Sequence, residues 1–525
     1  MERILLGRQM KEVDNYTINT IGIPSMVLME RAALGVTEAV EEIYKSGDRI
    51  LVVCGTGNNG ADGLAVYRML MIKGYRAECV IIGDSHGGTE EFQRQRKIIK
   101  NCGYKYSRRE TIEESLDVDL GNYNIIVDGI FGIGLSRNAE GMYAEVIDSI
   151  NSAKIEEKNL KIISIDAPSG IDADTGKVMG TGVKADITVT FGKAKVGLVM
   201  YPGASYAGKL KIYDIGIPWA VYGMVLFDSR VSKYICEEIY SFEKSDVAEY
   251  LSPRIPYSHK GTYGKVLVIA GSKEYSGAAY LCESAAYKSG CGLVKVVTSR
   301  ENKSMLTVMV PEGLYEFYGD EGVNRDKLKA DIDWADAIVI GPGLGQSFNA
   351  LNMLKTVLEE KEKPVIIDAD GINLLSSNRE LLNEIDDNMV LTPHLREMSR
   401  LMETTVSEIK SDMLEAVSRY KRSYKGTLVL KDARTVIAGP KKEIFINTSG
   451  NSGMATGGSG DVLAGILGGL IAQEPNFDIA LKSMTGVYLH GLAGDKAAEQ
   501  LGEYAMTASN IVDGLAEVLK EYERY

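Results

Sequence analysis

Apolar positions along the chain fall into two series of short continuous runs alternating with helical stretches, separated by an interval without a clear period. The first series opens with a helical pattern from Val13 to Ile43, interrupted at Gly22-Ile23-Pro24. Apolar runs come next at Arg49 to Cys54, Ala77 to Ile82, Asn124 to Val127 and Lys161 to Ile165, with a helix expected from about Gly63 to Lys73. Shorter strands are expected at Ile187 to Phe191 and Leu210 to Tyr213. From Trp219 to Pro256 charges, tyrosines and prolines mix, which reads as a connection plus a peripheral piece of the second domain. The second series places strands at Lys265 to Ala270, Leu293 to Thr298, Ala337 to Ile340, Pro364 to Asp368, Met389 to Thr392 and Thr427 to Lys431. Asp461 to Ala472 is apolar nearly all round, the pattern of a buried helix. Continuous apolar strands between helices predict parallel sheets covered on both faces, hence two consecutive doubly wound α/β units.

Length agrees with that division, since 525 residues exceed what one core usually supports. The formal charge of −13, from 59 basic and 72 acidic side chains, disfavours nucleic acid or an anionic membrane as a partner. It leaves room for a phosphorylated small molecule, because backbone amides hold phosphate without net positive charge. The six cysteines are scattered without a C-x-x-C pair and read as reduced thiols. Met1 to Met10 lacks the apolar run of a signal peptide, and the longest apolar stretch, Val462 to Ala472, is far below a membrane span. A cytoplasmic location is expected.

Chemistry concentrates at glycine-rich loops. Gly55, Gly57 and Gly60 have the G-x-G-x-x-G spacing, a pattern shared by dinucleotide sites and by plain strand-to-helix turns. Asn58, Asn59 and Asp62 are unusual in a hydride-transfer site, and Asp84 is the nearest candidate for a ribose-binding acid. Two further loops come after predicted strands, Asp128-Gly129-Ile130-Phe131-Gly132 and Asp166-Ala167-Pro168-Ser169-Gly170. The carboxyl ends of parallel strands form the ligand crevice, so Asp128, Asp166 and Ser169 are expected to face one pocket with Asn59. Such hard oxygen groups suit an alkali or alkaline-earth cation better than zinc.

Together with Gly22 to Ala32 and Phe191 to Leu198, these loops resemble the NAD(P)H-hydrate epimerase family over nearly all of residues 1–218. Ala61 stands where the family usually has glycine, and Ala194 where it usually has proline. The resemblance implies a Rossmann-like fold and a potassium ion held by Asn59, Asp128 and Ser169. It also implies substrate contacts at Asn58, Asn59, Gly60, Ala61 and Asp62, at Gly132, Ile133, Gly134, Leu135, Ser136, Arg137 and Asn138, and at Asp166. Inverting a hydroxyl-bearing carbon needs an acid/base group; Asp166 is the first candidate and Lys195 the second.

The segment Asn451 to Gly465 carries the densest signal. Its successive small residues ahead of a buried helix predict a nest of backbone N–H groups for an anion, and Asp461 on the first helical turn is placed as a base. No Walker P-loop occurs in the chain. The segment resembles the ribokinase-like superfamily, but Thr392-Pro393-His394-Leu395-Arg396-Glu397 replaces the Thr-Pro-Asn-x-x-Glu of related kinases. With His259 to Gly264, Gly341 to Gly345, Asp368 to Asn373 and Leu430 to Thr435, it resembles NAD(P)H-hydrate dehydratase from about residue 240 to 515. That resemblance implies hydrate contacts at Ala279, Gly345, His394 and Asp461. It implies nucleotide contacts at Lys431, Asp432, Ala433, Arg434, Thr435 and Gly460.

The expected layout is an epimerase domain over 1–218, a linker over 219–240 and a ribokinase-like domain over 241–525. The expected activity is repair of NADH hydrate and NADPH hydrate: epimerisation at C6, then ADP-dependent dehydration of the S epimer with release of AMP and phosphate. Magnesium is expected with ADP, potassium in the first domain, and a homo-oligomer by family habit. The fused layout resembles the ADP-using group, although physics alone leaves ADP and ATP open. Two other readings stay open at this point: a vitamin-type kinase with a ligand-sensing module, and a first half that is only a scaffold.

Overall fold

Val, Ile and Leu runs that bury both faces of a strand form the centre of each sheet in the computed structural model, which describes residues 1–111, 119–226, 238–359, 362–441 and 443–523. Two units cluster separately, one of Arg3–Lys233 and one of Tyr234–Tyr525 together with Met1–Glu2. Positions 227–237 of the expected linker, with Cys236, lie outside the described residues.

In the first unit seven parallel strands run in the order Ser107–Arg109, Arg76–Ile82, Arg49–Cys54, Ile125–Gly129, Lys161–Ile165, Ile187–Phe191 and Lys209–Tyr213. Chain order reverses between Arg49–Cys54 and Ile125–Gly129, so a crevice opens at their carboxyl ends, where Gly55 to Asn59 and Asp128 lie. Apolar residues of Ser25–Ile43 and Asn58–Ile72 cover one face and those of Met142–Glu156 the other. In the second unit Leu314–Tyr318, Leu293–Ser299, Lys265–Ile269, Ala337–Ile340, Val365–Ile367, Met389–Leu391 and Thr427–Leu430 are parallel neighbours. Antiparallel Val436–Ala438 and Glu443–Ile446 extend that sheet, and Glu238–Ser241 pairs parallel to the latter. The α/β fold class is therefore as expected, Rossmann-like in the first unit and ribokinase-like in the second.

Ser459–Gln473 is buried from Val462 to Ala472 and packs on Ser276–Lys288. The approach requires glycine: a Cβ on Gly465 would sit 2.2 Å from the Cys282 carbonyl oxygen. This close packing holds the glycine nest at one place on the sheet edge.

Several expected elements shift. The helix after the first glycine loop begins at Asn58, not near Gly63, so Asn58 to Asp62 form its first turn. The patternless interval contains a helix, Trp219–Leu226, whose Val221 and Val225 are buried in the core of the first unit. Sequence periodicity also missed Leu314–Tyr318 and the pair Val436–Ala438 and Glu443–Ile446, each only three to five residues long.

Candidate active sites

In the first unit a cavity of about 730 Å³ opens at the reversal of strand order. Asn58, Asn59 and Asp62 enter it from the first turn of Asn58–Ile72, and Ile130 to Arg137 form a second wall. Gly60 makes this geometry possible: a Cβ there would lie 1.8 Å from the Gly55 carbonyl oxygen, so the helix start could not close onto the loop. Asp166 enters from the end of Lys161–Ile165 with a positive φ of 62°. Holding a non-glycine residue there costs of the order of 1–3 kcal/mol, and such strain gathers at functional loops.

The Asp166 carboxylate accepts hydrogen bonds from Lys195 Nζ at 2.9 Å and Thr190 Oγ1 at 3.2 Å. Lys195, fully buried, also donates to Thr190 Oγ1 and the Phe191 carbonyl oxygen, both at 2.8 Å. Two further acids share this wall. Burial pushes the Asp14 carboxyl up to about 7, opposed by Lys195 and assisted by Asp166. Burial also raises Asp62 well above the usual carboxylate range, with Asp166 and Asp14 adding to it.

Asp128 lies deeper, fully buried. Its carboxylate accepts from Ser164 Oγ at 2.8 Å, from the Ser169 amide at 2.9 Å and from the Ser169 hydroxyl. Burial raises its pKa, and the causes that lower it are all hydrogen bonds from neutral groups. The Asn59 side chain approaches the same loop, its Oδ1 2.9 Å from where a Cβ on Gly132 would sit. Asn59 Nδ2 is buried without a hydrogen-bond partner among the described residues. A buried carboxylate among neutral oxygen donors is an environment that an alkali cation would complete.

In the second unit Asp368, Thr392 and Lys431 each stand one residue beyond a parallel strand. Asp368 Oδ1 accepts from Lys431 Nζ at 2.6 Å and from Thr392 Oγ1 at 2.7 Å. Burial works against the Lys431 charge, but Asp368 and Glu397 outweigh it and raise its pKa. Gly460 meets this ion pair: a Cβ there would lie 3.3 Å from Lys431 Nζ. Gly458, at φ 92°, turns the chain into Ser459–Gln473, whose first turn carries Gly460 to the same corner. Asp461 sits on the first turn; burial first, then Asp368, pushes its carboxyl up to about 7. Ala369, between Asp368 and Asp370, is another of the three described non-glycine residues with positive φ.

His394 caps Leu395–Met402, its Nδ1 accepting from the Arg396 and Glu397 amides at 3.1 and 3.2 Å. Burial and Lys431 lower its pKa, favouring the neutral ring. Asp370 Oδ2 accepts the Gly345 amide at 2.8 Å, which ties the Gly341 to Gly345 loop to this edge.

The first unit thus carries a ligand crevice at a strand-order reversal, and the second gathers its polar site at the carboxyl ends of three neighbouring parallel strands. Residues 25–197 match the family model described as YjeF-related protein N-terminus, and residues 266–517 match NAD(P)H-hydrate dehydratase. The chain is 36% identical to a bifunctional NAD(P)H-hydrate repair enzyme of Moorella thermoacetica, over 99% of this chain and 97% of that protein. The like-named protein of Thermofilum pendens is 35% identical over 98% and 95%, and that of Escherichia coli 32% over 95% and 91%. The chain belongs to the bifunctional NAD(P)H-hydrate repair enzyme family.

Against the family expectations, the structure gathers Asn58, Asn59, Asp62, Gly132 to Arg137, Asp166 and Lys195 around one cavity. Gly60 and Ala61 are buried beneath it and shape the turn, and Asn138 is exposed outside the lining. Asp84 spends its carboxylate on the His86 amide of a surface turn. In the repair enzyme's second unit Gly460, Lys431, His394 and Asp461 converge. Asp432 and Ala433 are exposed on the adjoining loop, Arg434 is tied to the Thr448 carbonyl, and Thr435 is buried. Ala279 has no exposed surface and packs in the core of the second unit, so its methyl supports the Gly271 turn from behind. His490 is buried, 3.4 Å from Ser459 Oγ, with burial pulling its pKa down to about 4. Sequence reasoning misses Asp14, which sits on a helix far from any glycine motif. Its only sequence signal is a polar residue one step beyond the buried Val13.

Proposed function

We propose that this chain repairs hydrated NADH and NADPH, with epimerisation at C6 in its first unit and ADP-dependent dehydration in its second. The observation that carries the reading is Asp461: a carboxyl near pKa 7, on the first turn of a buried helix, directly behind a glycine nest and beside Lys431. A kinase for an ordinary alcohol would share the nest, but the end-to-end family match favours the hydrate.

In dehydration, Asp461 accepts the proton of the C6 hydroxyl while that oxygen bonds to the terminal phosphorus of ADP and the phosphoanhydride bond breaks, releasing AMP. The ring nitrogen lone pair then expels phosphate from C6, and loss of a C5 proton restores the dihydropyridine. Lys431, held by Asp368 and Thr392, and the amides around Gly460 stabilise charge on the phosphoryl group. Asp432, Ala433, Arg434 and Thr435 form the nucleotide strip, and neutral His394 with Gly345 orients the hydrate. Magnesium would accompany the phosphates; Asp368 and Asp370, the acids that raise Asp461, are the residues that would hold it, and it would supply charge screening there.

In epimerisation, Asn58, Asp62 and the Gly132 to Arg137 wall position the hydrate, and Asp166, oriented by Lys195, exchanges a proton with the C6 oxygen. Asn59, Asp128 and Ser169 would hold potassium, which supplies the missing counter-charge to Asp128. Replacing potassium by tetramethylammonium should lower epimerisation at least about tenfold while leaving dehydration of pure S hydrate unchanged. Restoration by KCl in the wild type but not in Asp128→Asn checks the assignment.

Recovery of absorbance at 340 nm from mixed R and S hydrate with ADP and magnesium tests the whole reading, against an enzyme-free blank. Full recovery is expected; a rise ending at the S fraction would remove the epimerase half. Asp166→Asn should lower epimerisation by about 10²–10⁴-fold, the usual worth of general acid–base catalysis, with little change in KM. Full activity in that variant would discard Asp166 as the acid/base group.

A further inference from the structure

We infer that Asp14, on the first helix, Gly7–Tyr16, is a second catalytic acid/base group of the epimerase site, acting with Asp166 on the C6 hydroxyl. The inference rests on the epimerase reading above and extends it.

Inversion by departure and return of a hydroxyl needs two proton-handling groups, because oxygen leaves one face of C6 and water adds to the other. Asp166 supplies one, tied to Lys195 and Thr190. Among the residues lining the same cavity, Asp14 has the chemistry of the other. Its Oδ1 is buried without a hydrogen-bond partner among the described residues, which is costly for a carboxylate that serves only structure. It comes from a different element than Asp166, a helix rather than a strand end, so the two approach the cavity from separate supports. The groups acting on Asp14 are Lys195 and Asp166; Asp62 and Tyr222 feel it in turn, and Lys11 lines the same cavity from its own helix. Lys195 is committed to Asp166, leaving Asp14 without a close cationic partner among the described residues. Its protonated form therefore survives to neutrality, as a general acid requires.

The step balances with one proton on the pair. Protonated Asp14 gives its proton to the C6 hydroxyl, the C6–O bond breaks, and the ring nitrogen lone pair forms the N1=C6 double bond as water leaves. Water then bonds to the opposite face of C6, the N1=C6 pair returns to nitrogen, and Asp166 takes the proton that the adding water loses. Reversal exchanges the roles, and proton exchange with solvent resets the pair.

The test is epimerisation by the full chain without nucleotide, with chromatographic separation of the R and S hydrates formed from a pure epimer. The wild-type kcat/KM is expected to fall above about pH 7 as Asp14 loses its proton. Asp14→Asn should lose at least about 10²-fold in kcat with KM within about threefold, and its residual rate should lack the alkaline fall. Asp14→Glu should recover at least about a tenth of the wild-type rate. Dehydration of pure S hydrate by the same preparations, unchanged in both variants, shows that the chain is folded, and saturable turnover of hydrate shows that the first site is formed. Wild-type kcat in Asp14→Asn, or a reduced rate that keeps the alkaline fall, overturns the role of Asp14. Failure of the wild type to interconvert the epimers overturns the epimerase reading itself.

Discussion

Asp461→Asn will abolish the nucleotide-dependent recovery of 340 nm absorbance from pure S hydrate, with kcat down by about 10³-fold. The amide keeps the shape of the carboxyl and its place on the first helical turn, so ADP binding by calorimetry should stay within a few-fold of wild type. What disappears is the base. The wild-type pH profile gives an independent check. The Asp461 carboxyl stands at about 7, and only its deprotonated form accepts the hydroxyl proton. Dehydration should therefore fall as pH drops through about 7 and level off above it. A variant retaining about a tenth of the activity, or a wild-type rate flat from about pH 5 to 8, would show that Asp461 is not the base. Epimerisation by Asp461→Asn should be untouched, because the residues lining the first unit's cavity all belong to that unit.

Contiguous signals made much of this legible. Strand, glycine loop and helix succeed one another within a short span at Arg49–Cys54 and Asn58–Ile72, and that crevice stands where the loop pattern put it. The same holds for Ser459–Gln473, where an all-apolar helix behind a run of small residues has few alternatives. Signals that depend on tertiary contact were hidden. Nothing local to Asp368 announces its pairing with Lys431, 63 positions later, because parallel strands bring together residues separated by whole helices. Asp14 is hidden likewise: the charged groups that act on it or feel it, Asp62, Asp166 and Lys195, lie on distant elements. At Ala279 the side chain packs in the core, against the Gly271 turn, an arrangement that the motif alone does not announce. Short edge strands such as Leu314–Tyr318 escaped because five residues with a central Glu316 show neither a clean alternation nor a continuous apolar run.

The second large effect concerns stability and chemistry together. Lys195→Met should destabilise the first unit by about 3–5 kcal/mol, the usual cost of removing one partner from a buried ion pair. Three acceptors lose the ammonium at once, Asp166 Oδ1, Thr190 Oγ1 and the Phe191 carbonyl oxygen, while Asp166 keeps only the neutral Thr190 hydroxyl on that oxygen. Methionine fills most of the volume, so packing contributes little and the penalty is mainly that of a carboxylate left without its counter-charge. Asp166 keeps partial access to the cavity, which places the cost toward the lower end of that range. Asp166→Asn in the same chain removes the unpaired charge, so the double variant should be more stable than Lys195→Met alone by at least about 1 kcal/mol. Urea unfolding of the four members of this cycle, read on the transition that the second unit's ligand ADP does not shift, measures the coupling directly. Epimerisation should be lost in all three variants, since each leaves the proton-transfer group absent or unoriented. If Lys195→Met were instead as stable as wild type, the pair would be worth no more than an exposed contact, and Asp166 would owe its left-handed backbone to the loop alone.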